Sequence, residues 1–276
     1  MYALDRKTLE TIYFSFMRPK LEYASIVWDD CYSKEKSLLE RCQLRALRIV
    51  TGGKKGTSHA ELYDETSWNT LESRRKKNKI EFAHKIVNKN APDYLVEILP
   101  TTVNQHNLRN NNNLKQFNFR TEKFRKSLFP DCIRLWNGLS LEQRGIECLD
   151  KFKASINNIF NKSENNPLYN FCERKINIVH AQLRMGCSNL NSHLFNLHVI
   201  DELKCSCSYR LENNAHFFMD CQLYHNQRLN LIANIIPFCS FELNVLLYGS
   251  KDLSLTNNLQ IFSFVHEFIK ESGRFI

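Results

Sequence analysis

Three cysteines and one histidine stand close together late in the sequence: Cys205, Cys207, His216 and Cys221, in the stretch CSCSYRLENNAHFFMDC. Their spacing is C-x-C-x8-H-x4-C. Thiolate and imidazole are the donors that a tetrahedral zinc ion takes, and four of them close a structural site. The stretch therefore predicts one structural Zn2+ on Cys205, Cys207, His216 and Cys221, with His225 as an alternative to His216. On an extended strand the first two cysteines would point the same way about 7 Å apart, so zinc requires that stretch to bend. The plain alternative is a small hairpin with three reduced cysteines. Phe217 and Phe218 follow the histidine and serve either as core residues or as stacking surfaces for bases.

The elements that position these residues read as mainly α. The chain has 276 residues, 43% of them hydrophobic, so a sizeable core is possible. Asp5 caps a first helix whose apolar residues are Leu9, Ile12, Tyr13 and Phe16. A second helix fits residues 34–50, with Leu38, Cys42, Ala46 and Ile49 on one side and Arg41, Arg45 and Arg48 in a stripe beside it. A third fits roughly 69–90, with Ile80, Ala83, Ile86 and Val87 as its apolar side. Residues 104–127 read as a polar, Asn-rich basic arm. Residues 161–167, NKSENNP, read as a linker. Two short helices around Gly186 and a last helix over 258–269 complete the pattern. The domains drawn from this are 1–160 and 168–276, the second carrying the cysteine–histidine stretch 205–221.

Composition narrows the function. The net charge is +9, which suits a polyanionic partner. No apolar run is long enough for a signal peptide or a membrane span. An intracellular site, nucleus or cytoplasm, and reduced thiols follow as expectations. The sequence contains no phosphate-binding loop, dinucleotide fingerprint or nucleophile elbow.

Five blocks together resemble a known family. MRPKLEYASIVWD (17–29) is similar to the R-P-x-L-E-Y block that follows the catalytic palm in reverse transcriptases of non-LTR retrotransposons. LERCQLRALRIVTG (39–52), LESRRKKNKIEFAHKIVNKNAPDYL (71–95) and RTEKFRKSLFPDCIRLWNGL (120–139) continue the likeness. HAQLRMGCSNLNSHLF and the cysteine–histidine stretch resemble the carboxy-terminal segment of such enzymes, and its H-x4-C end has the spacing of retroviral zinc knuckles. The resemblance implies a thumb-like helical bundle followed by a smaller helical part with a knuckle hairpin. It also implies RNA-directed DNA polymerase activity for the parent family. The palm carboxylates that would hold two catalytic metal ions have no counterpart here. Asp29 and Asp30, in VWDD, fall in the block after the palm and read as a turn or capping feature. No catalytic residue is assigned, and an upstream polymerase palm becomes a possible partner.

In a thumb, basic helices lie along nucleic acid. The candidate phosphate contacts are Arg41, Arg45, Arg48, Arg74, Arg75, Lys76, Lys77, Lys79, Arg120, Arg125 and Lys126, touching RNA or DNA without sequence choice. The alternative is a solvated basic surface. The expected function is non-catalytic nucleic-acid binding. The rival is a helical protein-interaction module, or a decayed remnant of a mobile element.

Overall fold

The computed structural model describes residues 4–98, 113–160, 167–170 and 173–275. The linker 161–166 and the first part of the basic arm, 104–112, lie outside them. Sixteen α-helices and no strand occur among the described residues, so the protein is mainly α. The longer helices, numbered in chain order, are α1 (Arg6–Ile12), α2 (Ser33–Thr51), α3 (His59–Thr66), α4 (Leu71–Val87), α5 (Leu128–Asn137), α6 (Leu149–Phe160), α7 (Arg174–Arg184), α8 (His225–Ile235) and α9 (Leu255–Glu271). No helix among the described residues is long and apolar enough to cross a membrane.

The chain forms two compact units, each built from separated segments. One, here called the cysteine unit, comprises Met1–Ser15, Leu44–Ser67 and Glu164–Ile276; the other, the ion-pair unit, comprises Phe16–Gln43 and Trp68–Ser163. The sequence reading drew one boundary near residue 160. The structure groups residues 1–15 and 44–67 with the C-terminal segment instead of with the rest of 1–160.

Helix starts follow local capping chemistry. Asp5 accepts the Thr8 N–H at 2.6 Å, Thr70 accepts from Ser73 and Ser254 accepts from Asn257, each satisfying a donor the first helical turn leaves open. Helix faces are less local. In α2 the buried positions are Gln43, Leu44, Ala46, Leu47, Val50 and Thr51, whereas Leu38, Cys42 and Ile49 are exposed. The face expected from the sequence is therefore displaced. Beyond α1 the backbone passes through a π-turn over Tyr13–Met17. Tyr13 is buried and Phe16 is 68% exposed, so the single apolar stripe expected there is broken.

The cysteine unit packs Ile176, Val179 and Leu183 of α7 with Leu231 and Ile235 of α8 and Ile261, Phe262, Val265, Phe268 and Ile269 of α9. Cys205, Phe217, Phe218 and Cys221 belong to the same core. Gly249, at φ +76°, turns the chain against Asn258, whose carboxamide holds Ser250, Leu253 and Ser254. A Cβ at Gly249 would stand 2.7 Å from the Asn258 Oδ1, so glycine is needed on both conformational and steric grounds. The ion-pair unit packs Ile80 and Ala83 of α4 against Cys132 and Trp136 of α5 and Phe152 and Ile156 of α6.

The later half of the arm is ordered by side chains. Thr121 caps a short helix, Glu122–Arg125, and the Asn137 carboxamide pairs with both the N–H and the C=O of Leu114 at 2.9 Å. That pairing closes the segment without a sheet, where the sequence pattern suggested only a loop.

Candidate metal centre

The donors Cys205, Cys207, His216 and Cys221 converge, all four within 4.8 Å of one another. Two local devices bring them there. The first is a tight turn: the Ser208 N–H donates to the Cys205 carbonyl at 2.9 Å, and the Cys205 N–H to the Tyr209 carbonyl at 2.9 Å. This is the bend that C-x-C requires. Its cost falls on Ser208, held at φ +72°, a left-handed conformation that favours glycine. No strand flanks the turn, so it is a closed loop rather than the hairpin expected. The second device is a π-turn, His216–Asp220, begun by the Asn213 side chain accepting the His216 N–H at 2.8 Å. Its last bond, Cys221 N–H to the His216 carbonyl at 2.7 Å, sets the two C-terminal donors side by side.

Two of the six donor spacings lie near the edges of a tetrahedral site, and all six are within 4.8 Å. Zn–S bonds of about 2.3 Å and Zn–N bonds of about 2.0–2.1 Å give S···S edges of roughly 3.8 Å and S···N edges of roughly 3.5 Å. The Cys205 and Cys221 sulfurs are 3.7 Å apart, and Cys207 Sγ lies 3.2 Å from His216 Nε2. Burial pushes the Cys205 thiol up to about 12 and raises Cys221 as well. Thiolates there need a positive charge beside them, which a divalent cation supplies. Burial also holds His216 below the ordinary histidine value, in the neutral form that ligates.

A second layer fixes the donors. The Arg228 guanidinium donates to the carbonyls of Phe218 at 2.8 Å and Cys221 at 2.5 Å. Arg274 grips Glu212 through two 2.8 Å bonds, and Glu212 Oε1 lies 3.8 Å from the Cys205 sulfur. The Tyr209 ring stacks on His216, centroids 4.4 Å apart and planes within 5°. The sequence reading missed Arg228, Arg274, Glu212 and Tyr209, and for Arg274 no local signal exists. His216 Nδ1 is buried without a hydrogen-bond partner, so the backing that ligating histidines usually receive is missing on that side. His225 is exposed and stands outside the cluster. Phe217 and Phe218 are fully buried, Phe217 against Phe268, Tyr224 and Phe275, which settles them as core residues.

The basic candidates meet a different fate. All five cations of residues 72–79 have partners inside their own unit. Arg75 donates to Asp29 at 2.6 Å, and Lys79 lies 2.6 Å from Asp29 and 2.8 Å from Asp131. Arg74 pairs with Glu22, Lys76 with Glu72, and Lys77 with Asn157. Arg75 and Lys79 are 3% and 2% exposed, so the expectation that they contact phosphate is corrected: both are core counter-ions. Lys36 adds a third cation to Asp29 at 3.2 Å. Asp29, at the C-terminal end of the helix Ser25–Trp28, is thus more than a turn residue. Arg41, Arg45, Arg120 and Lys126 are exposed, and Arg48 and Arg125 are half-buried. Arg125 pairs with Glu122 at 2.7 Å, and Lys126 reaches the same carboxylate at 3.9 Å. The surviving basic surface is smaller: it lies on α2 and the end of the arm, with Lys76 of α4 still 45% exposed at its side chain.

The cluster, then, is a preformed Cys3His site that could hold a metal ion. No family model, no curated protein and no solved structure matches this chain.

Proposed function

We propose that the chain is a non-catalytic nucleic-acid-binding part of a non-LTR retrotransposon reverse transcriptase, with its cysteine unit held by one structural Zn2+. The observation that carries the metal is the convergence of four soft donors within 4.8 Å, with two spacings, 3.7 and 3.2 Å, near tetrahedral edge lengths. Three thiols and an imidazole select zinc over harder cations. Cys205 and Cys221 lie in the hydrophobic core of their unit, so the ion staples a core rather than ordering an isolated finger. Nucleic-acid binding is supported by the net charge of +9 and by the exposed Arg41, Arg45, Arg120 and Lys126. The family reading rests on the five sequence blocks in order. Polymerase chemistry is not assigned, because the palm carboxylates are missing from the sequence and Asp29 is neutralised by Arg75, Lys79 and Lys36.

The rival, a protein-interaction module, draws on exposed apolar side chains in the ion-pair unit: Phe16, Tyr23, Val27 and Tyr32. Titration of a labelled single-stranded oligonucleotide at several salt concentrations separates the two. Affinity that falls steeply with salt supports phosphate contact; no binding at low salt overturns it. Metal analysis of protein purified without chelator tests the ion, with about one zinc per chain expected and less than a tenth refuting it.

A further inference from the structure

The turn that holds Cys205 and Cys207 also displays an aromatic ring. Tyr209 is 47% exposed, although one face of its ring lies flat on His216. An exposed tyrosine ordinarily samples several rotamers and loses that freedom when it binds. Here the stack on a buried imidazole has already fixed the ring, and its other face is open. The backbone on either side is pinned as well. The Tyr209 carbonyl accepts from Cys205, and the Glu212 N–H donates to Leu203 at 2.8 Å.

The surroundings of the ring are cationic and hydroxylic. Lys204 and Arg210 sit on the two arms of the turn, just outside the Cys205–Tyr209 hydrogen bond, and both are exposed. Ser206 and Ser208 are exposed at its tip. Two carboxylates bear on His216 beneath the ring: Glu212, which is buried and neutralised by Arg274, and Asp220, which is exposed at the end of the π-turn. Asp201 and Glu202 lie further back along the same arm. A rigid aromatic face flanked by two cations suits a ligand that alternates flat rings with negative charges, which is the make-up of a single-stranded nucleic acid.

We infer that the open face of Tyr209 is a stacking platform for one base of a single-stranded nucleic acid, with Lys204 and Arg210 contacting the adjoining phosphates. This deepens the nucleic-acid reading above and rests on it. It moves the aromatic contact from Phe217 and Phe218, which are buried, to a residue two positions beyond the second cysteine. It also couples binding to the metal centre, because the ring that supports Tyr209 belongs to the candidate ligand His216.

The test uses the full chain and a fluorescent single-stranded oligonucleotide of about 12 nucleotides, within the range one single-strand-binding site covers, titrated by anisotropy at several salt concentrations. Tyr209→Ala should weaken binding about 5- to 100-fold, the range for losing one stacked base. The salt slope should stay unchanged, since no phosphate contact is lost. Tyr209→Phe should bind as wild type. Replacing Lys204 and Arg210 by Ala should weaken binding and lower the salt slope by about 2. Tyr209→Trp controls for misfolding: its fluorescence should be quenched on binding beyond any change in the wild-type chain. If wild type binds but Tyr209→Ala binds equally well and Tyr209→Trp shows no added quenching, the platform is refuted while the broader reading stands. If wild type binds no oligonucleotide, both fail.

Discussion

Asp29 and Cys205 each anchor a cluster of buried polar groups, and the two clusters close in opposite ways. Around Asp29 the chain supplies its own counter-charges: Arg75, Lys79 and Lys36 meet the carboxylate, and Lys79 also meets Asp131. Although burial opposes their ionisation, hydrogen bonds from Lys79 hold both carboxyls below the ordinary range, and the two carboxylates raise Lys79. Around Cys205 the chain supplies three sulfurs and a neutral imidazole with no cation among them; Arg228 reaches only the backbone carbonyls of Phe218 and Cys221. One cluster is electrically complete, and the other is complete only with an added cation. A run of basic residues is thus weak grounds for a ligand until its internal partners are known. A run of soft donors is strong grounds, because no side chain neutralises thiolates as a metal does.

The largest expected effect is loss of the metal. Structural zinc contributes on the order of 10 kcal/mol or more in small metal domains, so a chelator should abolish hydrogen-exchange protection around residues 203–221. All three tryptophans, Trp28, Trp68 and Trp136, lie in the ion-pair unit. Tryptophan fluorescence should therefore be indifferent to the chelator, and a shift in its unfolding midpoint would blur the contrast drawn here. Cys221→Ser should strip the metal whereas Cys239→Ser should retain it, as read by elemental analysis.

Next in size is Lys79→Met. It removes the cation shared by Asp29 and Asp131, although Arg75 and Lys36 still meet Asp29 and Arg134 still meets Asp131, at a cost of roughly 2–3 kcal/mol. Urea unfolding followed by tryptophan fluorescence measures this directly. A change below about 1 kcal/mol would put Lys79 among ordinary surface cations.

A smaller effect follows from pH. In the cysteine unit His180 Nε2–H donates to the Leu246 carbonyl at 3.0 Å, leaving its Nδ1 to accept from His266 Nε2 at 3.0 Å. Burial, with Arg184 and Lys270 nearby, holds His266 down at about 4, and burial puts His180 well below the ordinary histidine value. A base whose folded-state pKa is depressed takes its proton first when unfolded, so its contribution is whole above about pH 6.5 and declines as pH falls towards 4. Each of the two histidines should add up to about 1.4 kcal/mol per pH unit to the slope. His266→Asn should remove part of it, and equal slopes in the two proteins would count against the assignment. The smallest effect concerns α2. Arg41→Ala with Arg45→Ala should weaken oligonucleotide binding by less than about tenfold and lower the salt slope by about 2, whereas conservative changes at Arg75 should act on stability alone.

The cysteine–histidine cluster was legible because its donors lie within 17 residues and their types are those a metal ion takes. The start of the first helix was legible for the same local reason, through Asp5, whereas the cap at Ser254 was not read and α9 begins at Leu255, three residues before the expected 258. What was hidden depends on distant partners. Arg75 finds Asp29 46 residues away, and Lys79 finds Asp131 52 residues away. On α2 the stripe Leu38, Cys42, Ile49 competes with Leu44, Leu47, Val50. Only packing with the rest of the fold decides which is buried. The bend at Ser208 was anticipated as a requirement of C-x-C spacing, but the stack of Tyr209 on His216 depends on a π-turn that has no sequence signature.

The segmented make-up of the cysteine unit bears on how the protein is made. Residues 44–67 emerge from the ribosome roughly a hundred residues before the rest of their unit, on the order of 5–20 s at ordinary rates of synthesis. Of the two cations that pair with Glu65 in the folded unit, Arg6 has been made by then, whereas Arg184, at 2.7 Å, has not. The ion-pair unit is complete by residue 163 and is free to fold first. A nascent chain stopped there would carry a finished domain together with the apolar side chains Leu44, Leu47 and Leu62 of an unfinished one, a surface suited to chaperone capture.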